Sequence, residues 1–398
     1  MKKVILIQLF FAVALQYTQP VVAQQQEYSA QKTLKVGVFA PLYLDSVFSA
    51  SGNFRYRETM PRFIVPAVDF INGVMAGIDS LGAVKDNVEV HVFDTRSYSN
   101  PLPALIRSGK LNELNLLIGA VKDIDYKYLA DLAVSRQVPF ISASYPNDGG
   151  VTANPYVVIM NTTLKSHCEG IYSYLLQNHG TDKIFLCRRT GQQEDRVAGY
   201  FKAINEQDGR ALLNIQTLNI DSNLTSSFLK SKLDSNRHTV MIGGSLDEGF
   251  ANSLTKACYQ LYQKYPLTLI GMPNWDGFKS LVKKEAYTDF PIIFTTPYFN
   301  TKQDAHSRML MEYYSQKLKG RPSDMSFKGF ECAQMFIRLL IDHPTDFMEH
   351  LNDKNYRVYS EYNFKPVRLR KESYKPDYIE NKHLYFVRIL NGSMYKAW

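Results

Sequence analysis

The sequence predicts an α/β protein of two lobes, each a mostly parallel sheet flanked by helices. Three observations carry that expectation. The chain has 398 residues, more than one ordinary core accommodates. From Leu34 to Thr296, short apolar runs alternate with stretches of helical period. Within that span, His238–Trp275 reads as one complete βαβ unit: an apolar strand Thr239–Ile242, a Gly-Gly-Ser turn, a helix, and a second apolar strand Leu267–Ile270. A right-handed crossover of this kind puts the loops GGSLDE and GMPNW at the same carboxyl edge of a parallel sheet, where open α/β sheets bind ligands.

The elements follow in order. Lys2-Lys3, an apolar run from Val4 to Leu15 and the small residues Val21-Val22-Ala23 have the form of an export signal over residues 1–23. The run is short for a bilayer span. LKVGVFA (Leu34–Ala40) is the first strand. A loop rich in Ser, Tyr and Arg leads to a helix from about Pro61, where the missing N–H of proline costs nothing. VEVHVFDT, LNLLIGA and VPFISAS are further strands, with the helix DYKYLADLAVSRQ between the last two, and PYVVIMNTT ends the first run. Next come the helix LKSHCEGIYSYLLQNH closed by Gly180, the strand KIFLCRR, a helix from about Glu194 to Gln207, and the strand ALLNIQTLNI. After the βαβ unit the pattern predicts a helix from Trp275, the strand PIIFTT, and helices over about 305–319 and 327–341. The tail alternates like antiparallel strands, with a hairpin turn at Asn391-Gly392.

Composition narrows the function. With 45% apolar and 21% charged residues the chain is globular. Its net charge of +8, lowered by two if Lys2 and Lys3 leave with the signal, is spread along the chain, so the cluster KPVRLRK reads as a solvated face and no nucleic-acid partner is expected. Cys168, Cys187, Cys258 and Cys332 lie far apart; in an oxidising compartment four could form two disulfides, while the settings of Cys187 in KIFLC and Cys258 in KACYQLY favour buried free thiols. None stands near residue 23, so no lipid anchor is expected there. No His or Cys stands at zinc-ligand spacing, and no Walker loop, G-x-S-x-G, H-E-x-x-H or G-x-G-x-x-G occurs. No enzyme activity, metal or cofactor is expected.

The mature start KVGVFAPLYLDS, the segments VPFISASYPND and NPYVVIMNTT, TVMIGGSLDEGFANSL, LIGMPNW and the tail ENKHLYFVRILNG, taken in this order, resemble the type I periplasmic substrate-binding proteins of branched-chain amino-acid ABC importers, in their Bacteroidetes-type variant. The resemblance spans nearly the whole mature chain. It implies a two-lobed type I fold with three hinge crossings, lobe one over 31–163 with 297–352 and lobe two over 164–296 with 353–398. It also implies a periplasmic, monomeric protein that captures a small polar ligand, an amino acid or derivative, between the lobes for an ABC permease. The alternative is an envelope interaction or cell-wall sensing protein that keeps the fold without transport.

The candidate ligand residues fall in loops at strand ends. Ser142, Ala143, Ser144 and Tyr145 offer hydroxyls, amides and a wall, and the resemblance places Ala143 and Ser144 at the ligand's α-carboxylate and α-ammonium. Turn capping by Ser142 and Ser144 is the competing use. Ser245 belongs to the close-approach loop GGSLDE. Asp247 and Glu248 pair with a ligand ammonium or simply complement a helix dipole. Trp275 stacks on a ligand or packs in the core, Tyr43 is a further wall, and Lys122 stands where the amino-acid binders carry a Ser- or Thr-rich loop.

Overall fold

The computed structural model describes residues 33–398 apart from 57–58, 208, 221–223 and 371; the export signal expected at 1–23 lies outside the described residues. The first run of the chain supplies β1 (Leu34–Ala40), β2 (Val88–Asp94), β3 (Leu116–Gly119), β4 (Phe140–Ser142) and β5 (Val157–Ile159). All pair in parallel, in the order β5-β4-β3-β1-β2. β3, β4 and β5 are buried along their whole length, as strands covered on both faces must be.

After Met160 the chain passes to a second sheet built from β6 (Lys183–Arg188), β7 (Ile215–Asn219), β8 (Thr239–Gly243), β9 (Leu267–Ile270) and β10 (Ile292–Thr296). These are again parallel, in the order β10-β9-β8-β6-β7. Beyond Thr296 the chain returns, and its helices between Ala305 and Asp342 pack Cys332, Phe336 and Leu339 on the core of the first sheet.

Then come β11 (Phe364–Val367) and β12 (Tyr378–Asn381), an antiparallel pair that joins the first sheet through β12 and β5. A third passage at residues 382–384 leads to β13 (Tyr385–Leu390) and β14 (Ser393–Lys396) at the edge of the second sheet. Their turn has Asn391 and Gly392 at positive φ, the hairpin geometry that an Asn-Gly pair favours. Each sheet has seven strands.

Three details depart from the sequence expectation. Strands β11 and β12 keep residues 364–381 with the first sheet, so the last passage follows Asn381 rather than residue 353. The reason is the edge of β5: β12 pairs with it, while Tyr356, Tyr362 and Phe364 seal the apolar face beside it. The helix expected from Trp275 is a single tight turn, Pro273–Gly277, because Trp275 is a core plug and not the start of an amphipathic face. The helix expected from about Pro61 begins at Val65, with Pro66 in its first turn. All four cysteines are buried free thiols.

The helix Val65–Asp79 and the helix Asp324–Cys332 touch backbone to backbone. A Cβ on Gly73 would stand 2.0 Å from the Ser326 carbonyl oxygen, and one on Gly329 2.0 Å from that of Phe70. This contact sets the seat of the second helix, which carries Lys328 to the site described next.

Candidate functional site

The carboxyl ends of both sheets meet at a cleft of about 900 Å³. The first sheet contributes Pro146, Asn147 and Asp148 after β4, Asn161 after β5, and Lys328 from the helix behind it. The second contributes Arg196 and Tyr200 from the helix Gln192–Asn205, Leu246 after β8, and Asn274 and Asp276 after β9. The passages between the lobes form the floor, with Thr162, Thr163, His167, Thr296 and Tyr298.

These passages are cross-tied. The Thr162 hydroxyl donates to the Asn381 carbonyl at 2.9 Å, and the Thr163 amide donates to the buried Glu380 carboxylate at 2.8 Å. Glu380 also pairs with Lys382 at 2.7 Å. From the middle passage, the Tyr298 hydroxyl donates to the Ala143 carbonyl at 3.1 Å. These contacts join the three passages to one another.

Charges of both signs line the cleft, Asp148 and Lys328 on the first sheet's side and Arg196 and Asp276 on the second's. Lys328 Nζ lies 4.1 Å from the centre of the Tyr298 ring, a cation–π contact, and burial pushes its ammonium down to about 8. Burial raises the Asp276 carboxyl, while the Lys328 charge acts to lower it again. Beside Asp276, the Asn274 side chain donates to the Leu246 carbonyl at 2.8 Å, leaving its buried Oδ1 without a hydrogen-bond partner. A buried acceptor at a cleft wall is unfavourable until a donor arrives.

None of the ten sequence candidates is in this lining. Ser142 is buried, with an unpartnered Oγ; the Ala143 amide bonds Gly119, and the Ser144 carbonyl accepts from Asn161 at 2.8 Å. Tyr145 turns inward onto Tyr126, with ring centres 5.1 Å apart. Lys122 is exposed beside the helix Asp123–Arg136, and Tyr43, at φ 53°, rests edge-on against Phe63. The Ser245 hydroxyl donates to Glu194 at 2.6 Å. Asp247 caps its helix through the Phe250 amide and pairs with Arg189 at 3.3 Å, while Glu248 is exposed and accepts from Ser280. Trp275 is fully buried and donates its Nε1–H to the Ser245 carbonyl at 3.0 Å, so it presents no face to a ligand.

The lining therefore falls one residue from the candidates in three loops: Pro146 after Tyr145, Leu246 after Ser245, and Asn274 and Asp276 on either side of Trp275. Lys328, Arg196 and His167 escaped the sequence reading. The one usable signal was Lys328 itself, a lone lysine inside the apolar helical run from Phe327 to Ile337.

No family model and no curated protein matches the chain. Solved structures do. A branched-chain amino-acid ABC transporter periplasmic ligand-binding protein from Burkholderia xenovorans LB400 superposes with a TM-score of 0.57 at 12% identity, covering 89% of this chain and 90% of that one. The chain has the type I periplasmic-binding fold. A protein assigned to branched-chain amino-acid ABC transport in Rhodospirillum rubrum gives 0.64 at 11% identity, over 92% of this chain and 100% of that one. An ABC transporter substrate-binding protein from Desulfitobacterium hafniense, in complex with Leu, gives 0.54 at 11% identity, over 92% and 99%.

His167 gives the hinge floor a pH signature. Its ring is buried, bonds Thr295 Oγ1 through Nδ1 at 2.8 Å, and is pushed by burial from 6.5 down to about 3. Well above pH 6.5 it is neutral in both folded and unfolded chains and contributes no pH dependence. Below that, the unfolded chain takes up a proton that the folded chain refuses, so stability falls as pH drops. The expected slope from this group is about 1.4 kcal/mol per pH unit at its steepest. Urea unfolding at pH 7 and pH 5 measures it, and His167→Gln is expected to flatten the difference.

Proposed function

We propose that this protein is an exported solute-binding protein that captures a small polar ligand, an amino acid or derivative, between its lobes for delivery to an ABC importer. The observation that carries this is a cleft lined by Lys328 from one lobe and, from the other, by Asp276 and by Asn274, whose Oδ1 is unpartnered. A ligand with an anionic group and an ammonium group satisfies both walls at once. The closed state would then be stabilised by contacts that neither lobe makes alone. The names of the superposable proteins, which are ABC transporter binding proteins, support the same reading. So does the export signal legible at residues 1–23. Its place of work is then the periplasm, as a monomer.

A thermal-shift screen of the purified protein against amino acids and small polar metabolites tests the proposal. A ligand at one hundred times its Kd should stabilise the folded state by about 2.7 kcal/mol, a clear rise in melting temperature. A flat response over the whole screen contradicts capture of such ligands and favours an envelope interaction role on the same fold.

A further inference from the structure

At the amino ends of the second sheet, opposite the cleft, His179, Asp182 and His238 come together from three elements: the end of the helix Leu164–Asn178, the turn before β6, and the residue before β8. We propose that this cluster is a binding site for a zinc-class divalent transition-metal ion.

The geometry is convergent. His179 Nδ1 and His238 Nδ1 each lie 2.7 Å from the same oxygen, Asp182 Oδ2, in hydrogen-bonding directions. Two imidazole nitrogens that converge on one carboxylate oxygen supply a two-nitrogen, one-oxygen ligand set of the kind zinc prefers over oxygen-loving calcium or magnesium. Metal–nitrogen bonds run at about 2.0–2.1 Å, so an ion fits on both axes once the Asp182 side chain draws back by about 1 Å.

The far side of each ring is the second observation. His238 Nε2 lies 3.1 Å from Thr268 Oγ1, and His179 Nε2 lies 3.4 Å from the Tyr174 hydroxyl. An imidazole that binds metal through Nδ1 carries its proton on Nε2 and needs an acceptor there, which each ring has. Without metal, both rings can instead donate Nδ1–H to Asp182, so ion and protons compete for the same nitrogens. The side chains are 12%, 22% and 32% exposed for His179, Asp182 and His238, which leaves a path from solvent and room for water in the remaining coordination position. The nearby cation, Arg237, is engaged with the Thr181 carbonyl at 3.1 Å. Sequence spacing hides the set, because Asp182 and His238 are 56 residues apart.

A second group, His343, Asp346 and His350, makes the natural control. His350 is held between Asp346 at 2.9 Å and Asp353 at 2.8 Å, which occupies both its nitrogens, and its ring lies face to face with that of His343 at 3.5 Å. The His179 and His238 rings are also near-parallel, at 15°, but their centres stand 5.3 Å apart and both Nδ1 atoms reach one carboxylate oxygen.

The test is calorimetric titration of Zn2+ into untagged, chelator-treated protein, with Ca2+ and Mg2+ in parallel. One Zn2+ per chain is expected, with a rise in melting temperature. His238→Gln should weaken binding at least tenfold while His350→Gln leaves it unchanged. Thr268→Val, which keeps all three ligands, should weaken it about tenfold. If His238→Gln does not fold, Thr268→Val and the visible absorption of bound Co2+ decide. Absence of Zn2+ binding, or binding lost with His350→Gln and kept with His238→Gln, overturns the proposal.

Discussion

Trp275→Ala is expected to lower the unfolding free energy by about 3–5 kcal/mol, the range for removing a fully buried large aromatic side chain. The indole lies in a slot with glycine on two sides. A Cβ at Gly243 would come within 2.4 Å of the ring and one at Gly271 within 2.3 Å. Both glycines sit at strand ends in the second sheet, beside loops that line the cleft. Loss of the ring leaves a cavity bounded by backbone, which collapses poorly, and frees the Ser245 carbonyl. Urea denaturation followed by circular dichroism measures the loss. Gly271→Ala should destabilise in the same sense by overpacking. A change of less than about 1 kcal/mol for Trp275→Ala, a surface-like value, would mean that the ring is not the plug described here.

Gly329→Ala is expected to destabilise the first lobe by about 3 kcal/mol, the upper part of the overpacking range. The sign is what makes this informative. Helix propensity alone favours alanine over glycine by about 1 kcal/mol, so a helix free to move would be stabilised. Here the added Cβ would stand 2.0 Å from the Phe70 carbonyl oxygen and 2.9 Å from the Val74 nitrogen. The two helices must part, and the residue next to Gly329 is Lys328, one of the cations that line the cleft. Ligand affinity should therefore fall together with stability. Unfolding curves and ligand titrations on the same variant check both. An alanine variant as stable as the parent would contradict the close contact.

Much of the fold was legible because it rests on patterns that one segment carries by itself. β1, β3, β8, β9 and the Asn391-Gly392 hairpin appear where apolar runs and turn chemistry put them. The last passage between lobes was not legible, since nothing local in residues 364–381 says that β12 will pair with β5, more than two hundred residues away. The candidate site was legible to the loop but not to the side chain. Sequence locates SASYPND, GGSLDE and GMPNW at strand ends, yet alternate residues of a loop face cleft and core, and only packing decides which. Trp275 goes to the core because Gly243 and Gly271 open a slot for it, and that choice turns Asn274 and Asp276 to the cleft. Lys328 comes from a helix remote in sequence from every one of those loops.

A captured ligand should bridge the two lobes through Lys328 and Asp276. Calorimetric titration of the strongest ligand from the thermal-shift screen into the parent protein, Lys328→Met and Asp276→Asn tests it most directly. Loss of either charged partner should weaken binding at least tenfold, because truncating one side of a desolvated polar contact costs about 2–5 kcal/mol. The melting temperature of each unliganded variant should not fall. Unchanged affinity in both variants would place the ligand elsewhere and contradict the account.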